Sequence, residues 1–334
     1  MHRLLILLSA LFLCAADRPA SPGPAATGTV AARAGLRVLT HPTLGEIWLV
    51  HPVVRGAVAR PGPGPSGAAT AAIARRFGDE LAGRFAALPY ALAEDAAFGG
   101  PPAPLVILTP GANMGGSAYR RLAEDLAAHG YVVALLHPQG SPGPSDGRYG
   151  EAASEIATAL GFLTAPDAGW SDWIRPGPVG LVGHSLGGAA SVLALASAPG
   201  GSAAVNLDGD FAGAAARPAA GPVLYLIGMT DGETDRSRER RRGVWATVSA
   251  GSREAVALQL AEMRHFDATD LSLLSDAAPP ERRHNRFGPA EPGLTLLRLN
   301  ALTVAWLDRW LKGDEAAWAR ARANDPQFAE AQTF

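Results

Sequence analysis

Cysteine is nearly absent from this chain: Cys14 is its one example in 334 residues. A single thiol excludes an internal disulfide, so stability has to come from a packed core. An excess of positive charge is missing as well. Lys and Arg total 29 against 31 Asp and Glu, a formal net charge of −2. That balance excludes the concentrated basic surface needed to bind phosphate backbones, so no nucleic-acid partner is expected. The one basic cluster, Arg236 to Arg242, contains Glu239 and reads as a solvated helix face. Long apolar runs are also lacking. The run from Leu4 to Cys14 is too short for a comfortable membrane span, and no other apolar stretch is long enough to span a bilayer. There is no internal repeat, no phosphate-cradling glycine motif and no His/Asp/Glu set at ligand spacing. Neither a cofactor nor a metal is therefore expected.

What is present points to one large domain. Hydrophobic residues make up 48% of the chain, enough to fill a single sizeable core. The opening MHRLLILLSALFLCAADRPA has a short basic start, an apolar run, and small residues Ala15 and Ala16 before Asp17. That is the layout of a secretory signal peptide spanning 1–16, cleaved after Ala16. The expected localisation is export, periplasmic or secreted. Acylation of Cys14 as a lipoprotein is the alternative, with Leu13 standing where a small residue is expected. Residues 17–34 are rich in Pro, Ala and Gly and read as a flexible lead-in to a domain over 35–334.

Arg37–Thr40 and Glu46–Val50 bracket a turn at Pro42–Gly45, which suggests a hairpin at a sheet edge. Arg60–Gly67 reads as a loop, and a helix is expected over Ala71–Ala87. From there short apolar runs alternate with helical patterns. Strands are expected at Leu105–Leu108, Tyr131–Leu136, Pro178–Val182, Ala203–Leu207, Val223–Ile227 and Ala255–Leu260. Helices are expected at Ala118–Ala128, Ala152–Leu163, Gly187–Ser197 and Leu294–Leu311. Fully apolar strands alternating with helices imply an α/β class, with a mostly parallel central sheet covered by helices on both faces.

One motif carries chemistry. The strand ending at Val182 runs into Gly183-His184-Ser185-Leu186-Gly187, and a small-residue helix follows. A serine on so sharp a strand-to-helix turn presents its hydroxyl above the sheet, and only glycines fit around the tight backbone. Ser185 is the candidate nucleophile of an α/β-hydrolase fold. The N–H of Leu186 and one from the loop Thr109–Gly116 should form the oxyanion hole, with Ala112 the candidate and Asn113 its alternative. The base should follow the nucleophile in chain order. His265 qualifies, after the last strand, and His284 is the second candidate. The other six histidines default to structural or surface roles. For the acid, Asp208 and Asp210 follow one strand and Asp231 follows the next; spacing alone slightly favours Asp231.

Several segments resemble the bacterial relatives of plasma-type platelet-activating factor acetylhydrolase. They are SAYRRLAEDLAAHGYVVALLHP (117–138), VGLVGHSLGGAAS (179–191), VNLDGDF (205–211) and RHFDATDLSLL (264–274). The closing TVAWLDRWLKGD (303–314) is similar to that family's last helix. The resemblance implies that the Asp of the LDG segment, Asp208, is the acid, and that the His of an H-x-x-x-T/S-D-L segment, His265, is the base. It keeps Asp231 in reserve.

These readings together predict a serine esterase working through Ser185, His265 and Asp208 on short-chain acyl or phospholipid-type esters. The expected partner is a small-molecule or lipid ester. A cutinase-like polyester depolymerase is one rival. A non-catalytic protein of the cell envelope built on the same fold is another.

Overall fold

The computed structural model of the chain describes residues 33–54, 56–57, 64–137, 147–324 and 332–333. The expected leader, Cys14 and the lead-in up to residue 32 lie outside the described residues, as does part of the Arg60–Gly67 loop.

The chain opens with an antiparallel hairpin, β1 (Ala34–His41) and β2 (Gly45–His51), paired from Gly35–His51 to His41–Gly45. The first strand thus begins within the expected lead-in. The helix expected over Ala71–Ala87 is two helices, α1 (Gly67–Phe77) and α2 (Asp79–Ala86). Gly78 separates them at φ 98°, a backbone angle open to glycine and costly for other residues. Ser66 caps the first of the pair by accepting from the Ala69 N–H, and Asp79 and Glu80 start the second with negative charge where the helix dipole favours it.

After a short β3 (Leu92–Glu94), the alternating section follows the expected order closely. It comprises β4 (Leu105–Thr109), α3 (Arg120–Ala128), β5 (Val132–Leu136), α4 (Arg148–Leu163) and β6 (Gly180–His184). It continues through α5 (Leu186–Ala194), β7 (Ala203–Leu207), β8 (Val223–Gly228), α6 (Asp235–Ser249) and β9 (Ala255–Leu260). The sixth strand sits two residues further along than its apolar run predicts, because its pairing is set by the neighbouring strands. The last part carries a short α7 (Pro280–Arg283), α8 (Leu294–Leu307), α9 (Glu315–Asn324) and a two-residue β10 (Gln332–Thr333). The closing helix expected to run to Leu311 changes to a π-type turn at Asp308–Lys312 and stops at Gly313, φ 74°. The basic stretch Arg236–Arg242 lies on α6, whose Arg238 pairs with Asp235 and whose Arg241 pairs with Glu233.

The sheet order is β10-β9-β8-β7-β6-β4-β5-β2-β1-β3. The pairs from β5 through β4 and β6 to β9 are parallel; β2 meets β5 antiparallel. Side chains alternate across this sheet with the period of two that a strand imposes. Val106 and Leu108 face the layer holding α1, α2, α3 and α8, whereas Leu105 and Ile107 face that of α4, α5 and α6. Both neighbours of β4 are reached by crossovers running in opposite directions along the sheet. The chain goes from β4 to β5 on one side, then returns to β6 on the other. That reversal opens a crevice at the carboxyl ends of β4 and β6, where open α/β sheets bind ligands.

Candidate active site

The crevice holds the elbow. Ser185 follows β6 directly, with φ 54° and ψ −125°, a strained combination for a residue with a side chain. Two glycines permit it. A Cβ on Gly183 would lie 2.2 Å from the Gly187 carbonyl oxygen, and one on Gly187 would lie 2.4 Å from the carbonyl oxygens of Thr109 and Pro110. Neither position can carry a side chain without moving backbone. The Ser185 N–H donates to the Leu207 carbonyl at 2.9 Å, tying the elbow to the end of β7. Behind Ser185, α5 begins at Leu186, and its positive end faces the crevice.

The loop Thr109–Gly116 follows β4 into the crevice. Thr109 pairs with Gly183 in the β4–β6 register, so the loop leaves the sheet beside the elbow. A Cβ on Gly111 would come within 3.1 Å of the Ser185 Cβ. The Gly111 N–H is engaged, donating to the Tyr119 hydroxyl at 3.0 Å. Among the described residues, no backbone oxygen accepts from the Ala112 or Leu186 N–H. Asn113 takes a left-handed φ of 59° and turns the loop away.

Distance sets the three candidate carboxylates apart. His265 Nδ1 lies 2.7 Å from Asp208 Oδ2. The Gly228 N–H, at the end of β8, donates to Asp208 Oδ1 at 2.7 Å. Burial by itself raises the pKa of Asp208. The hydrogen bond and charge of His265 and the Gly228 N–H outweigh it and hold the carboxyl below its usual range. Asp208 takes a left-handed φ of 54°. Asn206 makes that turn rigid: its Oδ1 accepts from the Gly209 N–H and its Nδ2 donates to the Gly209 carbonyl, both at 2.8 Å.

Asp231 points elsewhere. Its Oδ1 accepts from Arg264 at 2.8 Å, and Oδ2 stands 3.9 Å from His284 Nε2. Asp210 is largely exposed and faces Arg241. His284 is 72% exposed and remote from Asp208 in its pairing, so the two second candidates, Asp231 and His284, face each other on the surface. His265 sits on a short 3-10 turn, His265–Ala268. Asp267 anchors that turn by accepting from the Arg264 and Gly288 N–H groups at 2.8 and 2.7 Å; burial nevertheless lifts its pKa to about 6. Thr269 closes the turn onto the Phe266 carbonyl, and Asp270 accepts from the Tyr90 hydroxyl at 2.9 Å. The T-D of the quoted RHFDATDL segment therefore holds the His265 turn in place.

A buried relay not visible in the sequence joins these parts. The Tyr119 hydroxyl donates to His184 Nδ1 at 2.7 Å while accepting from Gly111, and His184 Nε2–H donates to the His265 carbonyl at 2.8 Å. Burial and the neighbouring His265 push the His184 pKa down to about 3, which keeps the ring neutral and its two nitrogens in opposite roles. The oxyanion loop and the backbone of His265 are thus bolted through the residue preceding Ser185. Ser185 Oγ itself makes no hydrogen bond among the described residues. His265 is 37% exposed, and among the described residues its Nε2 accepts or donates no hydrogen bond.

A hydroxyl on a strand-to-helix elbow, an imidazole tethered to a carboxylate at its far nitrogen, and two unspent N–H groups lie together at the switch point. This is an α/β-hydrolase fold. The comparisons agree. A family described as serine aminopeptidase S33 matches residues 100–229, from before β4 to just after β8. The chain is similar to the solved ferulic acid esterase from Streptomyces cinnamoneus at 22% identity and a TM-score of 0.67. That match covers 93% of this chain and 98% of the other. Curated protein sequences give no match. Among the described residues, no group of three His, Cys, Asp or Glu could hold a metal, and no helix is long and apolar enough to cross a membrane.

Proposed function

We propose that this protein is a serine esterase with Ser185 as nucleophile, His265 as general base and acid, and Asp208 as the carboxylate that orients it. The observation that carries the reading is the 2.7 Å contact between His265 Nδ1 and Asp208 Oδ2 beside the strained elbow. With Nδ1–H held by a carboxylate, Nε2 is an acceptor. It takes the Ser185 proton as Oγ attacks the ester carbonyl carbon. The oxygen that becomes negative is held by the N–H groups of Ala112 and Leu186. Collapse breaks the bond to the alcohol, which leaves with the proton from His265. Water then attacks the acyl-serine, gives its proton to His265, and releases the acid with Ser185 restored.

The resemblance of the quoted segments to the bacterial relatives of platelet-activating factor acetylhydrolase supports short-chain acyl or phospholipid-type esters as the substrate class. The leader-like opening of the chain supports export. The aminopeptidase named by the family match has a specific observation against it. A free peptide amine needs an acidic partner, yet the cavity beside the loop carries Arg75 and Arg76 and no carboxylate. Hydrolysis of a short p-nitrophenyl ester tests the reading. The rate should fall at least about a thousandfold in Ser185→Ala, and the wild type should be labelled by an active-serine phosphonate. Full activity in that variant sinks the proposal. A folded wild type that neither turns over esters nor takes the phosphonate favours the non-catalytic alternative.

A further inference from the structure

A cavity of about 300 Å³ opens beside the oxyanion loop. Its walls are α1, through Ile73, Arg76 and Phe77, and the loop, through Asn113, Met114 and Ser117. That volume is at the small end for a ligand pocket, so it suits a compact group. Its charge is one-sided. The Arg76 guanidinium carbon lies 4.5 Å from the centroid of Phe266, the residue next to His265, and that ring packs edge-on against the His265 imidazole at 5.1 Å. Arg76 is therefore one aromatic ring away from the candidate base. Phe77 is shared by two cations: Arg76 stands 6.0 Å and Arg286 5.7 Å from its ring centroid.

Neither Arg76 nor Arg286 pairs with a carboxylate among the described residues. Arg75 lines the same cavity and adds to its positive charge, whereas arginines further round are engaged: Arg264 with Asp231, Arg282 with the Ala74 carbonyl of α1, Arg241 with Glu233. Two like charges facing each other raise the energy of the empty pocket. Partial desolvation, followed by the charge of Arg286, lowers the pKa of Arg76, the signature of a cation that lacks its counterion. Lying against an aromatic face, a guanidinium keeps its edge N–H donors free for a planar, two-point contact with an oxyanion.

We propose that this cavity takes an anionic arm of the ester substrate, a terminal carboxylate or phosphate, with Arg76 as its direct partner and Arg286 reinforcing the field. The proposal rests on the esterase reading and names the substrate class of that site. An arm seated there passes along Asn113 and Met114, so the ester carbonyl it carries lies toward the loop that would hold the oxyanion.

The test compares three substrates on the full-length protein at low salt: p-nitrophenyl butyrate, mono-p-nitrophenyl glutarate, and the p-nitrophenyl ester of phosphonoacetic acid. The wild type should prefer one of the two anionic esters. Arg76→Gln should lower kcat/KM for that ester about tenfold, through KM, and leave the butyrate within about twofold. Arg286→Gln should act in the same direction with a smaller effect. The preferred anionic ester identifies carboxylate or phosphate as the source. Wild-type preference for butyrate, or an equal loss on all three esters in Arg76→Gln, overturns the proposal. If no ester is hydrolysed, the esterase reading fails separately. Calorimetric titration with glutarate and phosphonoacetate then decides the pocket. Binding by the wild type that is lost in Arg76→Gln supports it, and no binding by the wild type overturns it.

Discussion

The ends of β7 and β8 invite comparison. Both are buried parallel strands, both point their carboxyl ends into the same crevice, and both are followed within three residues by an aspartate. Only the first reaches His265. After β7, Asn206 clamps Gly209, forces Asp208 into a left-handed conformation, and aims its carboxylate at His265. After β8, the chain continues outward before it turns, and Asp231 ends in a half-exposed pair with Arg264. What β8 contributes instead is a backbone N–H, from Gly228, that donates to Asp208. One strand end supplies the charge and its neighbour supplies the hydrogen bond that keeps it ionised. A parallel register brings both strand ends to the same edge of the sheet, and the turn that follows decides which carboxylate meets His265.

The largest effect should come from exchanging the two acids for amides. Asp208→Asn should lower esterase kcat/KM by about a thousandfold or more, because an amide in that place stabilises the wrong imidazole tautomer and cannot offset the imidazolium. Asp231→Asn should leave the rate within about twofold. Equal losses would erase the distinction drawn between the two strand ends.

Next in size is the clamp. Asn206→Ala removes two buried hydrogen bonds and frees a strained turn, so unfolding free energy should drop by about 1–3 kcal/mol in denaturant titration. The rate should fall further than stability alone explains. The relay offers a third comparison, between the loop and the base that it joins. Tyr119→Phe leaves the Gly111 N–H and His184 Nδ1 without their partner. It should reduce kcat about tenfold with little change in KM, since what it loses is alignment rather than binding. A change confined to KM would show that the relay positions substrate instead.

The pH dependence follows from the same buried groups. His184 is neutral in the folded protein down to about pH 3, whereas an unfolded histidine takes up its proton near 6.5. The unfolded state therefore binds more protons between those values. Stability tied to His184 is fully present above about pH 6.5 and is lost as pH falls toward 3, by up to about 1.4 kcal/mol per unit. Asp208, whose pKa is lowered in the fold, adds loss of the same sign at lower pH. Melting curves of His184→Gln should be flatter than those of the wild type over that range. The smallest effect belongs to the surface pair. Arg264→Gln should cost less than about 1 kcal/mol, as half-exposed ion pairs do.

Much of the alternating core was legible in the sequence because buried parallel strands are short, apolar and bounded by turns. Ala203–Leu207 and Ala255–Leu260 fall where the apolar runs put them. The break at Gly78 was missed because the apolar pattern continues through it; a glycine followed by Asp79 and Glu80 was the available signal. Tyr119 could not be found at all. It stands 65 residues before His184, on a different element, and nothing local marks a tyrosine whose partner is supplied by the fold.

By itself, the sequence determined the strand-to-helix elbow at Ser185, since the glycines at 183 and 187 leave that backbone little other choice, and it narrowed the candidate base to the histidines that follow it, His265 and His284. Only the tertiary structure shows which of Asp208, Asp210 and Asp231 contacts His265, the contact that the family resemblance implied for Asp208. A carboxylate's role depends on where its turn aims it, to within a hydrogen-bond length, and that aim is set by Asn206, Gly209 and Gly228 acting together across two strands.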